Sequence, residues 1–167
     1  MYDFFVLDKS QKEKWLPRLF DLLYANMSVI APSDKSYDDQ KTEWMTEVSP
    51  ALDKAKRQII LAFADNNLAG YLQYYTNDKL LMIEEVQIKR QYQRTRLFYT
   101  LCKHLVEILP ENIETVEAYS HKSNHNSRSV MRNLGMTEIG EQASPFGELV
   151  HLQGNALYIK NKKLSRH

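Results

Sequence analysis

The sequence predicts an α/β (α+β) fold, a mixed, mostly antiparallel sheet of six to seven strands flanked by about four helices. Three observations lead there. Short aromatic and β-branched runs alternate with stretches of helical apolar spacing in the order β-α-α-β-β-β-α-β-α-β-β. Three strand-like runs over residues 58–64, 68–76 and 80–89 follow one another through Asp65-Asn66-Asn67 and Asn77-Asp78, turn residues that join antiparallel neighbours. A helical pattern over 95–109 then separates the third run from a strand over 114–120, and a helical crossover makes those two strands parallel.

The remaining elements follow in order. Residues 2–7 form an opening strand. Ser10 with Glu13 three residues on reads as a capping box for a helix carrying Trp15, Leu16, Leu19, Phe20, Leu23 and Met27, with Pro17 in its first turns. Residues 31–37 form a loop, and a second helix from Asp38 carries Trp44, Met45 and Val48 until Ser49-Pro50 interrupts it. Asn124 is a polar cap for a short helix with Val130 and Leu134 on one face and Gly135 at its end. Residues 136–141 and 149–159 make a last antiparallel pair around Pro145-Phe146-Gly147. Residues 1–160 read as one domain and 161–167 as a basic tail, frayed from Lys160.

Composition narrows the function. The chain has 167 residues, 43% of them hydrophobic, enough for one domain with a real core. A net charge of +1 argues against a dedicated nucleic-acid binder. The single cysteine, Cys102, excludes a disulfide framework and a multi-cysteine metal site, and its place among helical apolar positions makes it a packing residue. His121, His125 and His151 lack metal-ligand spacing, so no metal is expected. No apolar run has signal-peptide or membrane-spanning length, which predicts a cytoplasmic protein without a membrane partner.

The chemistry concentrates in residues 80–98, LLMIEEVQIKRQYQRTRLF. A strand that hands over to a helix leaves the first helical N–H groups unpaired, and with the helix dipole they form an anion site. Lys89, Arg90, Arg94 and Arg96 crowd this helix start, where each exposed cation is disfavoured by roughly 0.3–1 kcal/mol. No acidic residue lies between Glu85 and Glu107 to relieve them. The pattern suits a ligand that brings the negative charge, most simply a pyrophosphate; a solvated basic loop is the alternative.

These residues resemble the acetyl-CoA motif of the GNAT N-acetyltransferases, Gln/Arg-x-x-Gly-x-Gly/Ala. Gln93 matches its first position, while Arg96 and Phe98 stand where the two small residues belong. The stretch from Asn124 to Met136 resembles the closing motif of the family, with Asn124, Ser127, Val130, Leu134 and Gly135 in register. The resemblance implies that strands 80–88 and 114–120 splay apart as a parallel pair, with the pantetheine arm of acetyl-CoA in the gap. It implies backbone contacts from Val86, Gln87 and Ile88, pyrophosphate contacts from Gln93, Arg94, Thr95, Arg96, Leu97 and Phe98, and further cofactor contacts from Asn124 and Ser127. Acetyl-CoA enters as a co-substrate and an amine of a small molecule or peptide as the acceptor. Relatives often dimerise through edge strands or the C-terminal hairpin, so a homodimer is among the partners implied.

Acetyl transfer needs a base for the ammonium and a place for the leaving thiolate. Strict alternation puts Glu84 on one strand face with Met82, Val86 and Ile88, and Glu85 on the other with Gln87 and Lys89. Glu84 is therefore the desolvated carboxylate and the first choice as base, working through a water, with Glu85 an ordinary carboxylate. Asn124 is a candidate for ordering the sulfur end. Relatives commonly carry a Tyr acid where this chain has Met131, leaving Tyr119, His121 or water to protonate the thiolate. Asp34, Asp38, Asp39, Glu43 and Glu148 lie where the family binds its acceptor and suit a cationic amine.

Two other readings stand beside the enzyme. One is a catalytically weak CoA-binding regulatory or interaction module of the same fold. The other is an interaction domain whose basic loop meets an acidic partner.

Overall fold

The computed structural model describes residues 1–54, 56–145 and 147–163. Seven strands form one sheet: β1 (Tyr2–Val6), β2 (Gln58–Ala64), β3 (Asn67–Asn77), β4 (Leu80–Ile88), β5 (Thr115–His121), β6 (Thr137–Ser144) and β7 (Gly147–Asn155). Their order across it is β1-β2-β3-β4-β5-β7-β6, and every neighbouring pair is antiparallel except β4–β5. Among the described residues five α-helices flank the sheet: α1 (Lys12–Ile30), α2 (Tyr37–Asp53), α3 (Leu97–Ile108), α4 (His125–Leu134) and α5 (Ala156–Asn161).

The central strands are covered on both faces. In β2, Ile60 and Ala62 join the core formed with Leu97, Leu101 and Leu105 of α3 and Met131 and Leu134 of α4. Their neighbours Ile59 and Leu61 join the opposite core, with Leu16 and Leu19 of α1 and Val48 and Leu52 of α2. Period-two alternation thus sorts one strand into two apolar layers, which is why β2 reads as a continuous apolar run.

Several local expectations are corrected by packing. Asp8, not Ser10, starts the first helical segment: its carboxylate accepts the Ser10 N–H at 2.9 Å, and a 3-10 turn over Lys9–Gln11 leads into α1. Pro50 does not interrupt α2, because the helix continues to Asp53 to bury Val48 and Leu52 against the sheet. The last strand ends at Asn155, whose side chain accepts the Tyr158 N–H at 2.9 Å, and α5 follows in place of strand. Burial of Ala156 and Ile159 holds that turn of helix in the core, so Lys160 is helical and not frayed. Phe146 of the β6–β7 loop and the last four residues of the basic tail lie outside the described residues.

Turn chemistry agrees with the sequence. Asp65 and Asn66 both have positive φ, 49° and 65°, as a two-residue hairpin turn requires. Gly135 ends α4 at φ 109°, and a Cβ there would stand 2.4 Å from the Tyr158 ring of α5. Gly135→Ala is therefore expected to cost about 1–3 kcal/mol through backbone strain and the displaced ring, read as a lowered midpoint in chemical denaturation.

Candidate active site

The site begins with an irregularity in β4. Gln73 of β3 pairs with Glu85, but Tyr74 pairs with Ile83, so Glu84 is an extra residue, a β-bulge. Before it, Leu81 and Ile83 face the α3/α4 core; after it, Ile88 does. The bulge shifts the alternation by one residue and turns both glutamates toward α1 and α2. Glu84 accepts from Gln73 Nε2 at 2.9 Å, and Glu85 accepts from the Tyr71 hydroxyl. The opposite-face expectation for the two carboxylates is thus overturned.

Their environments differ in the sense opposite to that expected. Glu84 is ion-paired with Arg57, Nε to Oε2 at 2.5 Å and Nη2 to Oε1 at 2.9 Å, and Glu47 takes Arg57 Nη2 at 3.1 Å. Glu85 is the desolvated one: burial, reinforced by the charge of Glu84, pushes its carboxyl up to about 7, against the opposing pull of the Tyr71 hydroxyl and the Arg57 charge. The carboxyl poised near neutral pH is Glu85.

The bulge also ends a ladder. β4 and β5 pair only from Leu80–Thr115 to Ile83–Ala118, and beyond that point they part. The gap is a cavity of about 230 Å³ between Ile83–Gln87, Tyr119–His121 and the start of α4, with Leu23 and Met27 of α1 on one side. Val86, Gln87, Asn124 and Ser127 also line a second cavity of about 360 Å³, so the two adjoin. The splay leaves the β5-facing backbone groups of residues 84–87 without ladder partners, available to an extended polar chain.

The outer cavity lies where two helices begin. α3 starts after Arg96 without a side-chain cap or an acidic residue in its first turn. Thr95 Oγ1 accepts the Leu97 N–H at 3.2 Å, while the next N–H groups have no acceptor within the helix. Asn124 caps α4, its Oδ1 accepting the Ser127 N–H at 3.1 Å. Arg94, held in the left-handed region at φ 61°, lines the cavity together with Thr95 and Phe98. Two helix starts and a cation on one cavity are what a bound anion would need.

Gln93 and Ile88 also line this outer cavity, and the other expected residues take different places. Gln93 clips the loop to the end of β4, its Nε2 donating to the Ile88 carbonyl at 3.0 Å. Asn26 of α1 donates to the same carbonyl at 3.0 Å and to Gln87 Oε1 at 2.9 Å. Leu97 is buried in the core, and Arg96 is not among the cavity-lining residues. Phe98 packs into the α3/α4 core at 9% exposure, so its bulk is largely withdrawn from the helix start. Met131 is a buried wall of the inner cavity, Tyr119 is stacked on His151 at 4.4 Å, and His121 Nδ1 lies 2.6 Å from Ser123 Oγ.

Cys102 is buried, which pushes its thiol up to about 12. None of Asp34, Asp38, Asp39, Glu43 and Glu148 lines the inner cavity; Glu43 pairs with Lys35 at 2.7 Å and Glu148 with Lys122 at 3.2 Å. Among the described residues no group of three or more His, Cys, Asp or Glu could hold a metal, and no helix is long and apolar enough to cross a membrane. Arg57, Tyr71, Gln73 and Asn26 were not anticipated. Tyr71 and Gln73 share the odd face of β3, but only the β3–β4 register shows that this face meets Glu84 and Glu85.

A sheet opened between two parallel strands, with two helix starts and a cation at the mouth and a neutral-range carboxyl inside, is the architecture of an acyl-CoA-dependent acyltransferase. The chain belongs to the acetyltransferase (GNAT) family, whose family model matches residues 16–136. A comparison with curated proteins found no match. Among solved structures, the chain is similar to the PaiA N-acetyltransferase of Thermoplasma acidophilum in complex with coenzyme A, at 14% identity and a TM-score of 0.70 over 93% of this chain and 99% of that one. It is likewise similar to an aminoglycoside acetyltransferase in complex with coenzyme A and kanamycin, at 15% identity and a TM-score of 0.71 over 96% and 98% of the two chains. A spermidine N-acetyltransferase from Vibrio cholerae in complex with coenzyme A and spermine matches at 13% identity and a TM-score of 0.70 over 96% and 98%. At these identities the likeness is one of fold.

Proposed function

We propose that the protein is an acetyl-CoA-dependent N-acetyltransferase that moves an acetyl group directly to a primary amine of a small molecule or peptide. The observation that carries this reading is the pair of adjoining cavities along the splayed β4–β5 pair, with two helix starts and Arg94 at one end and Glu85 at the other. The solved relatives named above were crystallised with coenzyme A, and two of them with amine-bearing ligands, kanamycin and spermine.

In this reading Arg94 and the free N–H groups at the start of α3 hold the pyrophosphate. The unpaired backbone of Val86 and Gln87 holds the pantetheine arm, and Asn124 and Ser127 at the start of α4 line its other side. The acceptor enters from the α1/α2 face, to which Glu85 is turned. Glu85 takes the proton from the ammonium, and the free amine attacks the thioester carbonyl. Arg57 and Gln73 keep Glu84 in place as a fixed charge beside it. Phe98 lines the outer cavity while most of its bulk packs into the core, which leaves that cavity open despite the missing small residue.

The test is titration calorimetry of acetyl-CoA into the protein and into Arg94→Glu. Charge reversal at the helix start is expected to weaken binding by roughly tenfold or more, as lost charge-assisted bonds to phosphate do. Wild-type binding should be followed by thiol release when kanamycin, spermidine or a lysine peptide is added. No binding at millimolar acetyl-CoA, or equal affinity in the variant, would sink the site as drawn.

A further inference from the structure

One buried polar group at this cavity is not used by the reaction described so far. Ser120 of β5 is 6% exposed, lines the inner cavity, and its Oγ has no hydrogen-bond partner among the described residues. Buried hydroxyls are ordinarily paired, because leaving one unpaired forfeits its hydration without return. An unpaired hydroxyl on a residue in the wall of a cavity is a position able to meet a ligand.

Register tells which part of the ligand. The last β4–β5 pair is Ile83–Ala118, and with Glu84 bulged out of the count Ser120 stands across the gap from Val86, one step beyond Glu85. Val116 and Ala118, four and two residues before it, are buried in the α3/α4 core, and alternation places Ser120 on that face. Glu85 is turned to the opposite face by the bulge. A group lying between the strands therefore has the carboxyl on the side from which an amine arrives and the hydroxyl on the side toward which a leaving group departs. The wall beyond Ser120 includes Met131, which cannot donate a hydrogen bond.

Resting on the reading of the cavity as an acetyl-CoA site, we propose that the Ser120 hydroxyl donates a hydrogen bond to the thioester sulfur and holds the thiolate as it leaves. The amine nitrogen bonds to the carbonyl carbon, and the C–S bond breaks with its electron pair passing to sulfur. The ammonium proton goes to Glu85, and the second proton, shed by the nitrogen as the tetrahedral adduct collapses to the amide, passes to solvent. Ser120 keeps its own proton throughout, and the released thiolate is protonated by solvent. A hydroxyl is too weak an acid to surrender its proton to a thiolate, but it binds the thiolate more strongly than the thioester, which is the differential a transition state needs.

The experiment compares coenzyme A with desulfo-coenzyme A, by calorimetry at pH 8.5, on wild type and Ser120→Ala. Wild type is expected to prefer coenzyme A by about tenfold to a hundredfold, the range of a hydrogen bond to an ionised group. Ser120→Ala should lose most of that preference while binding desulfo-coenzyme A as wild type does. The thiolate absorbance of bound coenzyme A should titrate at higher pH in Ser120→Ala. Its thermal midpoint should stay the same or rise, since an unpaired buried hydroxyl has been removed. An unchanged preference in the variant overturns the Ser120 role alone, and a parallel loss of both ligands shows that the serine only shapes the pocket. If wild type binds neither ligand, the reading of the cavity itself has failed.

Discussion

Glu85→Gln is expected to lower kcat by about 10²–10⁴-fold, the usual contribution of a positioned general base, while leaving acetyl-CoA affinity close to that of wild type. The amide keeps the shape and can still meet the Tyr71 hydroxyl, but it cannot take a proton. Because the Glu85 carboxyl is pushed up to about 7, wild-type kcat/KM should rise with pH and bend near 7. That bend should vanish in the variant, leaving only the titration of the amine acceptor, which both proteins share. A bend at 7 that survives in Glu85→Gln would remove Glu85 as the base.

The same group makes a prediction about stability. Its folded value, about 7, lies above its ordinary 4.5, so between these two pH values the folded protein holds more protons than the unfolded chain. Stability from this group therefore falls as pH rises through that window, by ~3 kcal/mol in all. Glu85→Gln does not ionise and escapes the loss. Its advantage over wild type in denaturant midpoint should grow from pH 5 to pH 8, and a gap that shrinks over that range would contradict the burial of the carboxyl.

Arg57→Met is expected to destabilise the protein by about 3 kcal/mol, or roughly 6–12 °C in Tm. The Arg57 and Glu84 side chains are only 16% and 17% exposed, so removing the cation strands a poorly solvated carboxylate with Gln73 as its remaining partner. Glu84→Gln added to Arg57→Met should recover much of the loss, because a neutral pair carries no stranded charge. The cation also pulls the Glu85 carboxyl down, so its removal should move the bend in kcat/KM to higher pH. A double variant as unstable as Arg57→Met alone would show that the arginine acts through packing and not through charge.

The contrast between the two glutamates shows where sequence reasoning stopped. Nothing in LLMIEEVQI marks an extra residue, and alternation applied along it assigns the buried role to Glu84. The bulge exists because β3 and β4 pair in one register at Tyr74–Ile83 and another at Gln73–Glu85, a property of two strands together. The partners that then define each carboxyl, Arg57 and Tyr71, lie 27 and 14 residues away, and only the fold brings them close. Pro50 and the 156–161 helix were misread for a related reason: burial of Val48 and Leu52, and of Ala156 and Ile159, overrode the local signals.

What the sequence by itself determined was the order of elements, the parallel β4–β5 crossover, and the Asn124 cap and Gly135 terminus of α4. These follow from short-range chemistry: apolar period, capping side chains and positive φ. What only the tertiary structure decided was the depth of the splay, the face of each glutamate, the withdrawal of Phe98 and the orphan hydroxyl of Ser120. Each of these depends on register between strands and on which groups lose water together. Desolvation acts between residues far apart in the chain, and no local pattern encodes it.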